Sequence, residues 1–308
     1  MSVPSFSRKP HLSSGGLRRT GWLSAAILVG AGAPALACEL QVGGAPASPQ
    51  IDYDVYGLDR SLASTELDLV NVGDSRCSVH IDVEGLGELP PPFPIEEAGV
   101  AIAVLAPGLQ RPADGLNVPG RFALEIIPGE QRSVQLDFFT DQLVSVPSGT
   151  YTRDLQIEVF AQGGDAPVES YLTQLVLVSA AQAQINIAGT DGRFDKASYM
   201  ESIDFGEAEP GESRRVFVQA RSNASATLSM RSVNAGRMVH DTQAGSAIAY
   251  SVTLDGDPLD LSAPVTLPGL SATGLTGRSR PLDITIDSLI APYAGLYSDR
   301  IVIEIEAQ

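Results

Sequence analysis

The sequence predicts an all-β chain of two sandwiches in series, the second lacking its last strand. Three observations lead there. From Cys38 onward apolar residues recur with period two in short runs, and no stretch keeps the repeat of a long amphipathic helix. Gly and Pro stand between the runs, as in Asn71-Val72-Gly73-Asp74 and Asp255-Gly256-Asp257-Pro258. Finally, one window of sequence occurs twice, and the strand that follows its first copy has no counterpart after its second. Alternation buries one face of a strand and wets the other, and dense turn residues end each strand after a few positions. A length of roughly 270 residues after a leader is large for one sandwich and comfortable for two.

In order, the expected strands are Ile51–Tyr56, Glu66–Asn71, Arg76–Glu84, Ser133–Phe139, Thr152–Phe160 and Val168–Ser179, then Arg215–Ala220, Ala226–Met230, Ala247–Leu254, Leu282–Ile286 and Arg300–Glu306. The junction is expected in Ala180–Gln184, which divides the chain into a leader at 1–37, a first domain at 38–180 and a second at 181–308.

The repeated window sets Arg132, Ser133, Leu136, Asp137, Asp141 and Leu143 against Arg278, Ser279, Leu282, Asp283, Asp287 and Leu289, at an offset of 146. With Gly149, Tyr151, Glu158, Ala161 and Gln162 also matched, identity over the window is about a third, which points to a duplicated domain. In the terminal run Ile301, Ile303 and Ile305 share one face, and Glu304 and Glu306 the other. A half-buried strand needs neighbours on both edges. The first copy continues into Val168–Ser179, whereas the second is expected to leave an acceptor groove along Ile301, Ile303 and Ile305.

Arg8, Lys9, Arg18 and Arg19 precede an apolar run from Trp22 that closes on Ala35-Leu36-Ala37. Basic flank, short apolar core and Ala-x-Ala read as a secretory leader cleaved after Ala37, and the run is too short for a comfortable membrane span. Thr20-Gly21-Trp22 continues the Arg pair poorly for twin-arginine export, so the general route is expected. Removing four basic residues from the chain's 20 leaves 16 against 37 acidic, a balance of −21. That argues against nucleic acid as a partner and against docking on anionic lipid. No membrane insertion is expected.

Cys38 and Cys77 are the only cysteines. In an exported protein the pair reads as a disulfide closing a loop of about forty residues, a contribution of roughly 3–4 kcal/mol. The alternative makes Cys38 a lipidated first residue. It would strand Cys77, and Ala35 stands where the lipidation pattern wants Leu.

Leu86–Gly108 breaks the alternation, with Pro91, Pro92 and Pro94 around Phe93 and Ile95 following. Proline cannot donate to a ladder, so a stiff loop is expected here, either a lid over the sandwich end or an exposed contact site formed by Pro91, Pro92, Phe93, Pro94 and Ile95.

Little supports catalysis. His80 and His240 fall in different halves, and no nucleophile elbow, zinc-binding His pair or Cys-x-x-Cys set is present. No cofactor and no metal site is expected: Asp255 and Asp257 flank a turn glycine, and Asp191 and Asp195 lack the dense spacing of a calcium loop. Asn223-Ala224-Ser225 matches a glycosylation sequon of low specificity.

Ile203-Asp204-Phe205-Gly206, the strand Arg215–Ala220, Ser232-Val233-Asn234-Ala235-Gly236-Arg237-Met238, Ala249–Gly256 and the closing Gly295-Leu296-Tyr297-Ser298-Asp299 follow one another in the second copy. In that order they resemble the spore coat protein U type of pilin domain found in archaic chaperone–usher pili. The likeness covers most of Ile203–Gln308 and recurs more weakly in Cys38–Gln162; the second copy departs from it in lacking a cysteine pair, with Ala226 near the place of Cys77.

The resemblance implies immunoglobulin-like sandwiches and donor-strand complementation. A periplasmic chaperone first fills the gap left by a missing strand, and a neighbouring pilin subunit later replaces it. An usher then carries the assembly to the cell surface. With Cys38 at the cleavage site and bonded to Cys77, no donor arm is visible, so the chain is expected at the pilus tip, its first domain meeting a host or abiotic surface. A periplasmic chaperone of the same system is the runner-up, disfavoured by the acidic balance, and a secreted sandwich hydrolase is third.

Overall fold

The alternation is realised as twenty strands among the described residues, with one 3-10 turn at Glu96–Ala98. The structure is a computed structural model that describes residues 38–57, 59–109, 118–140, 143–161, 164, 166–194, 200–290 and 293–308; the expected leader at 1–37 lies outside them.

The first ten strands are β1 (Leu40–Val42), β2 (Gln50–Tyr53), β3 (Ser61–Asn71), β4 (Cys77–Gly85), β5 (Phe93–Ile95), β6 (Val100–Leu105), β7 (Arg121–Ile126), β8 (Gln131–Thr140), β9 (Gly149–Ala161) and β10 (Glu169–Ser179). They form two five-stranded sheets, in the orders β1-β3-β8-β6-β5 and β2-β10-β9-β4-β7. Leu67, Leu69, Ile102, Leu136 and Phe138 from one sheet meet Ile81, Leu155, Ile157, Leu175 and Leu177 from the other in a single core. Each is the inward member of its alternation, and outward partners such as Glu66, Asp68 and Gln135 stay exposed.

The second ten are β11 (Ala183–Ala188), β12 (Ser213–Ser222), β13 (Ala226–Ser232), β14 (Arg237–His240), β15 (Ala247–Leu254), β16 (Asp257–Leu259), β17 (Val265–Leu270), β18 (Arg278–Ser288), β19 (Tyr297–Ser298) and β20 (Ile301–Ala307). One sheet runs β11-β12-β18-β15-β14-β19 with β16 paired to β15, and the other has only β17-β13-β20. Val218, Leu228, Met230, Val252, Leu254 and Leu282 make a second, separate core.

The expected loop at Leu86–Gly108 is corrected by the structure. Phe93–Ile95 is strand β5, paired antiparallel to β6 with Phe93 opposite Ile102. Pro92 and Pro94 point outward while Phe93, 0% exposed, and Ile95 enter the core. The prolines are tolerated because β5 is the outer strand of its sheet, where a missing N–H breaks no inner ladder. The density of prolines hides the short inward alternation of Phe93 and Ile95 in the sequence.

A buried polar joint links the sandwiches. Asn223, 2% exposed, donates from Nδ2 to the carbonyl oxygens of Val146 (3.1 Å) and Ala180 (2.9 Å) and to Ser179 Oγ (3.1 Å), while its Oδ1 accepts from Gln182 N–H at 2.7 Å. Its backbone carbonyl accepts from Ser148 N–H. A side chain so enclosed has no room for a glycan, so the sequon at Asn223 is a structural asparagine. Beside it Arg221 lies over the rings of both Tyr56 and Phe194, each 4.3 Å from its guanidinium carbon.

Tyr56 Oη is buried with no hydrogen-bond partner among the described residues. Burial pushes its pKa from 10.0 up to about 12, partly opposed by the Arg221 cation. The unfolded chain therefore ionises first, so this group's contribution to stability is whole below pH 10 and is lost as pH rises towards about 12. Tyr56→Phe is expected to preserve stability at neutral pH, since no hydrogen bond is lost, and to reduce the alkaline loss. Urea midpoints at neutral pH and within that alkaline window check it; a lower midpoint at neutral pH would contradict the unpartnered hydroxyl.

Candidate functional site

Strand β20 is held at one side by β13. It pairs antiparallel with β13, setting Ile301 opposite Ser232, Ile303 opposite Met230 and Ile305 opposite Leu228. Leu228 and Met230 are buried, but Ile301, Ile303 and Ile305 are only half-buried. Among the described residues no strand pairs with the other edge of β20.

The first sandwich supplies the comparison. At the offset of 146 its Leu155, Ile157 and Val159 occupy the places of Ile301, Ile303 and Ile305. They are 0% exposed, because β9 is paired on one edge with β4 and on the other with β10. β10 is itself covered by β2, which runs parallel to it. The same apolar alternation is thus sealed in one copy and open in the other, and the difference is the strand that β10 provides. Burying the remaining half of each isoleucine would contribute roughly 1–1.5 kcal/mol per side chain before ordering costs.

The turn ahead of β20 fixes its position. Asp299 accepts from Ser232 Oγ (2.5 Å), Tyr250 Oη (2.5 Å), Asn234 N–H (3.0 Å) and Arg300 N–H (2.7 Å). Burial, together with the adjacent Asp299, raises the Tyr250 pKa above its ordinary value, which keeps the phenol protonated as a donor. Tyr297 sits edge-on to His240, with ring centroids 4.9 Å apart. Gly295 is required because a Cβ there would overlap the His240 imidazole. The Gly-x-Tyr-x-Asp order therefore has a structural cause: close approach, ring contact and a four-donor carboxylate clamp.

The remaining candidate residues are dispersed. Cys38 and Cys77 form the expected disulfide, which joins the chain just before β1 to the start of β4. In the stretch Pro91-Pro92-Phe93-Pro94-Ile95 only Pro92 and Pro94 are exposed; Leu86 and Leu89 nearby are also exposed. His80 stacks on Phe160 and His240 braces Gly295, so the structure does not bring the two histidines together. Asp255 pairs with Arg280 Nε at 2.6 Å, Asp191 is exposed, and Asp195 lies outside the described residues. The described residues contain no group of His, Cys, Asp or Glu suited to hold a metal, and no helix among them is long and apolar enough to cross a membrane. Sequence reasoning missed the roles of Tyr250, Ser232 and Asn223, whose hydrogen-bond partners lie far away along the chain.

Fold and site together define an all-β protein of two sandwiches, one sealed and one with β20 paired on a single edge among the described residues. No protein-family model and no curated protein matches the chain. Among solved structures it is similar to the complex of chaperone CsuC with tip adhesion subunit CsuE from archaic chaperone–usher pili of Acinetobacter baumannii (13% identity, 86% of this chain and 100% of that one, TM-score 0.46). It is also similar to the CupB6 tip adhesin of Pseudomonas aeruginosa (10% identity, 87% and 93%, TM-score 0.35). A third similar structure is CfaE, the adhesive subunit of CFA/I fimbria of enterotoxigenic Escherichia coli (12% identity, 82% and 75%, TM-score 0.31).

Proposed function

We propose that this protein is a tip subunit, an adhesin, of a chaperone–usher pilus, and that its second sandwich is completed by a strand from another protein. The observation that carries the reading is the contrast between Ile157, fully buried, and Ile303, half-buried at the same place in the duplicated fold. The half-sealed row suits an acceptor, first of a periplasmic chaperone's strand and then of a neighbouring subunit's, with an usher passing the complex to the cell surface.

The tip position rests on the other end of the chain. Leu40–Val42 pairs with β3 and Gln50–Tyr53 with β10, so these segments complete their own sandwich. The expected cleavage after Ala37 would start the mature chain at Cys38, which is bonded to Cys77, and would leave it without an arm to donate. Contact with a host or abiotic surface is assigned to the first sandwich. The loop expected to make it keeps an exposed part from Leu86 to Pro90 with Pro92 and Pro94, since Pro91, Phe93 and Ile95 are buried.

Production of the mature chain in the periplasm, alone and with a candidate pilus chaperone, tests the reading. The chain alone is expected to be recovered folded only in low yield, and the pair to accumulate as a soluble complex in much larger amount. A chain that is monomeric alone and ignores the chaperone would sink it, as would N-terminal sequencing that finds an extended arm before Cys38.

A further inference from the structure

The outward face of β20 carries a row of charges with a definite order. Arg300, Val302, Glu304 and Glu306 alternate with the residues that face the core. Arg300, Glu304 and Glu306 are exposed, and none forms an ion pair among the described residues. Across the ladder on β13, Glu304 faces Ser229 and Glu306 faces Thr227, neither of them charged, and the exposed Arg231 stands opposite Val302, diagonal to Glu304 and without an ion pair to it. The first sandwich shows how such a row is met when the next strand is present. There β10 runs antiparallel to β9, Gln174 donates to Asp154 at 3.0 Å, and Ser170 donates to Glu158 at 3.5 Å. Asp154 and Glu158 stand where the offset of 146 places Arg300 and Glu304. Outward side chains of a closing strand thus reach the charged row of its neighbour.

We propose that the open seam selects its occupant by charge order: an extended segment of a neighbouring subunit, antiparallel to β20, with basic residues opposite Glu306 and Glu304, an acidic residue opposite Arg300, and apolar residues between them. The inference rests on the proposed function and adds the chemistry of the strand that closes the seam. From its N-terminus the segment reads basic, apolar, basic, apolar, neutral, apolar, acidic. Opposite charges directly across a ladder favour pairing and like charges oppose it, so the row specifies direction as well as partner. The chain's strong net negative charge further favours encounter with a segment that leads with basic residues.

Titration of the full chain with fluorescent peptides, read by anisotropy at low and high salt, tests the proposal. The first peptide carries the matched order, the second has basic and acidic residues exchanged, the third is the matched sequence written backwards, and the fourth replaces the three apolar residues by serine. The matched peptide is expected to bind about tenfold more tightly than the exchanged one at low salt. The gap should narrow at high salt as the charges are screened, and the serine peptide should not bind. In a protein carrying Arg300→Glu, Glu304→Lys and Glu306→Lys together, all at exposed positions, the preference should invert. Equal affinity of matched and exchanged peptides, or preference for the reversed one, would overturn the charge order while leaving the seam as a docking site. Failure of every peptide to bind would overturn the docking site itself, and the proposed function with it.

Discussion

Ile157→Asp and Ile303→Asp, made at equivalent positions of the two sandwiches, are expected to fail in different ways. Ile157 is fully enclosed between β4 and β10. A carboxylate there has no partner, so the substitution costs several kcal/mol whether the group stays charged or takes up a proton. Against a typical domain stability of about 5–15 kcal/mol that is enough to unfold a marginal sandwich. Ile303 is half-exposed beside an unpaired edge, and its carboxylate can keep water. The isolated chain should lose only about 1–2 kcal/mol, the apolar burial that Ile303 already has. The loss appears on assembly, because a strand closing the seam would seal the charge against apolar neighbours. Urea denaturation of both variants, together with chaperone co-purification and surface display of pili, separates the effects. Ile157→Asp should move the unfolding transition, and Ile303→Asp should abolish capture. Unchanged display of the Ile303→Asp protein would show that this row does not line an acceptor.

Removing the disulfide should have the second largest effect. Cys38 and Cys77 are 39 residues apart, and Cys77 is fully buried. Releasing a loop of that size raises the entropy of the unfolded chain, for a loss of roughly 3–4 kcal/mol in the Cys38→Ser, Cys77→Ser protein. The urea midpoint should fall, and reductant should lower that of the unmodified protein by a similar amount while leaving the double variant unaffected. A midpoint insensitive to both treatments would remove the bonded Cys38 on which the proposed tip position rests. Mass spectrometry of the mature protein without reductant adds an independent check, since a diacylglyceryl adduct on Cys38 or free thiols at both positions would exclude the bond.

Much of the architecture was legible because strands announce themselves locally. Ala247–Leu254 was read with the bounds of β15, and Arg76–Glu84, Thr152–Phe160 and Arg300–Glu306 lie within one residue of β4, β9 and β20 or inside them. Short strands such as β1, β14 and β19 were missed, since two to four residues hold too few alternations to stand above chance, and the six-residue β6, β7, β11 and β17 were missed as well. Ser61–Thr65, the front half of β3, was missed for another reason: its inward positions are Ala63 and Thr65, small or polar, and only their place in the fold buries them.

Sequence by itself determined the all-β class, the internal repeat at an offset of 146 and the inward face of strands such as β4, β9 and β20, and it favoured a bond between the only two cysteines. These follow from side-chain period and from counting, both of which are local or combinatorial. Tertiary structure decided what no window contains. Phe93 was assigned to the core by an outer-strand position that tolerates proline, and Asn223 was made a joint by partners 41 to 77 residues away. Ile157 and Ile303 are the same residue in matching sequence, and no local property tells them apart. Their burial differs because it depends on the second neighbour across the ladder, which β10 supplies to one and no described strand supplies to the other.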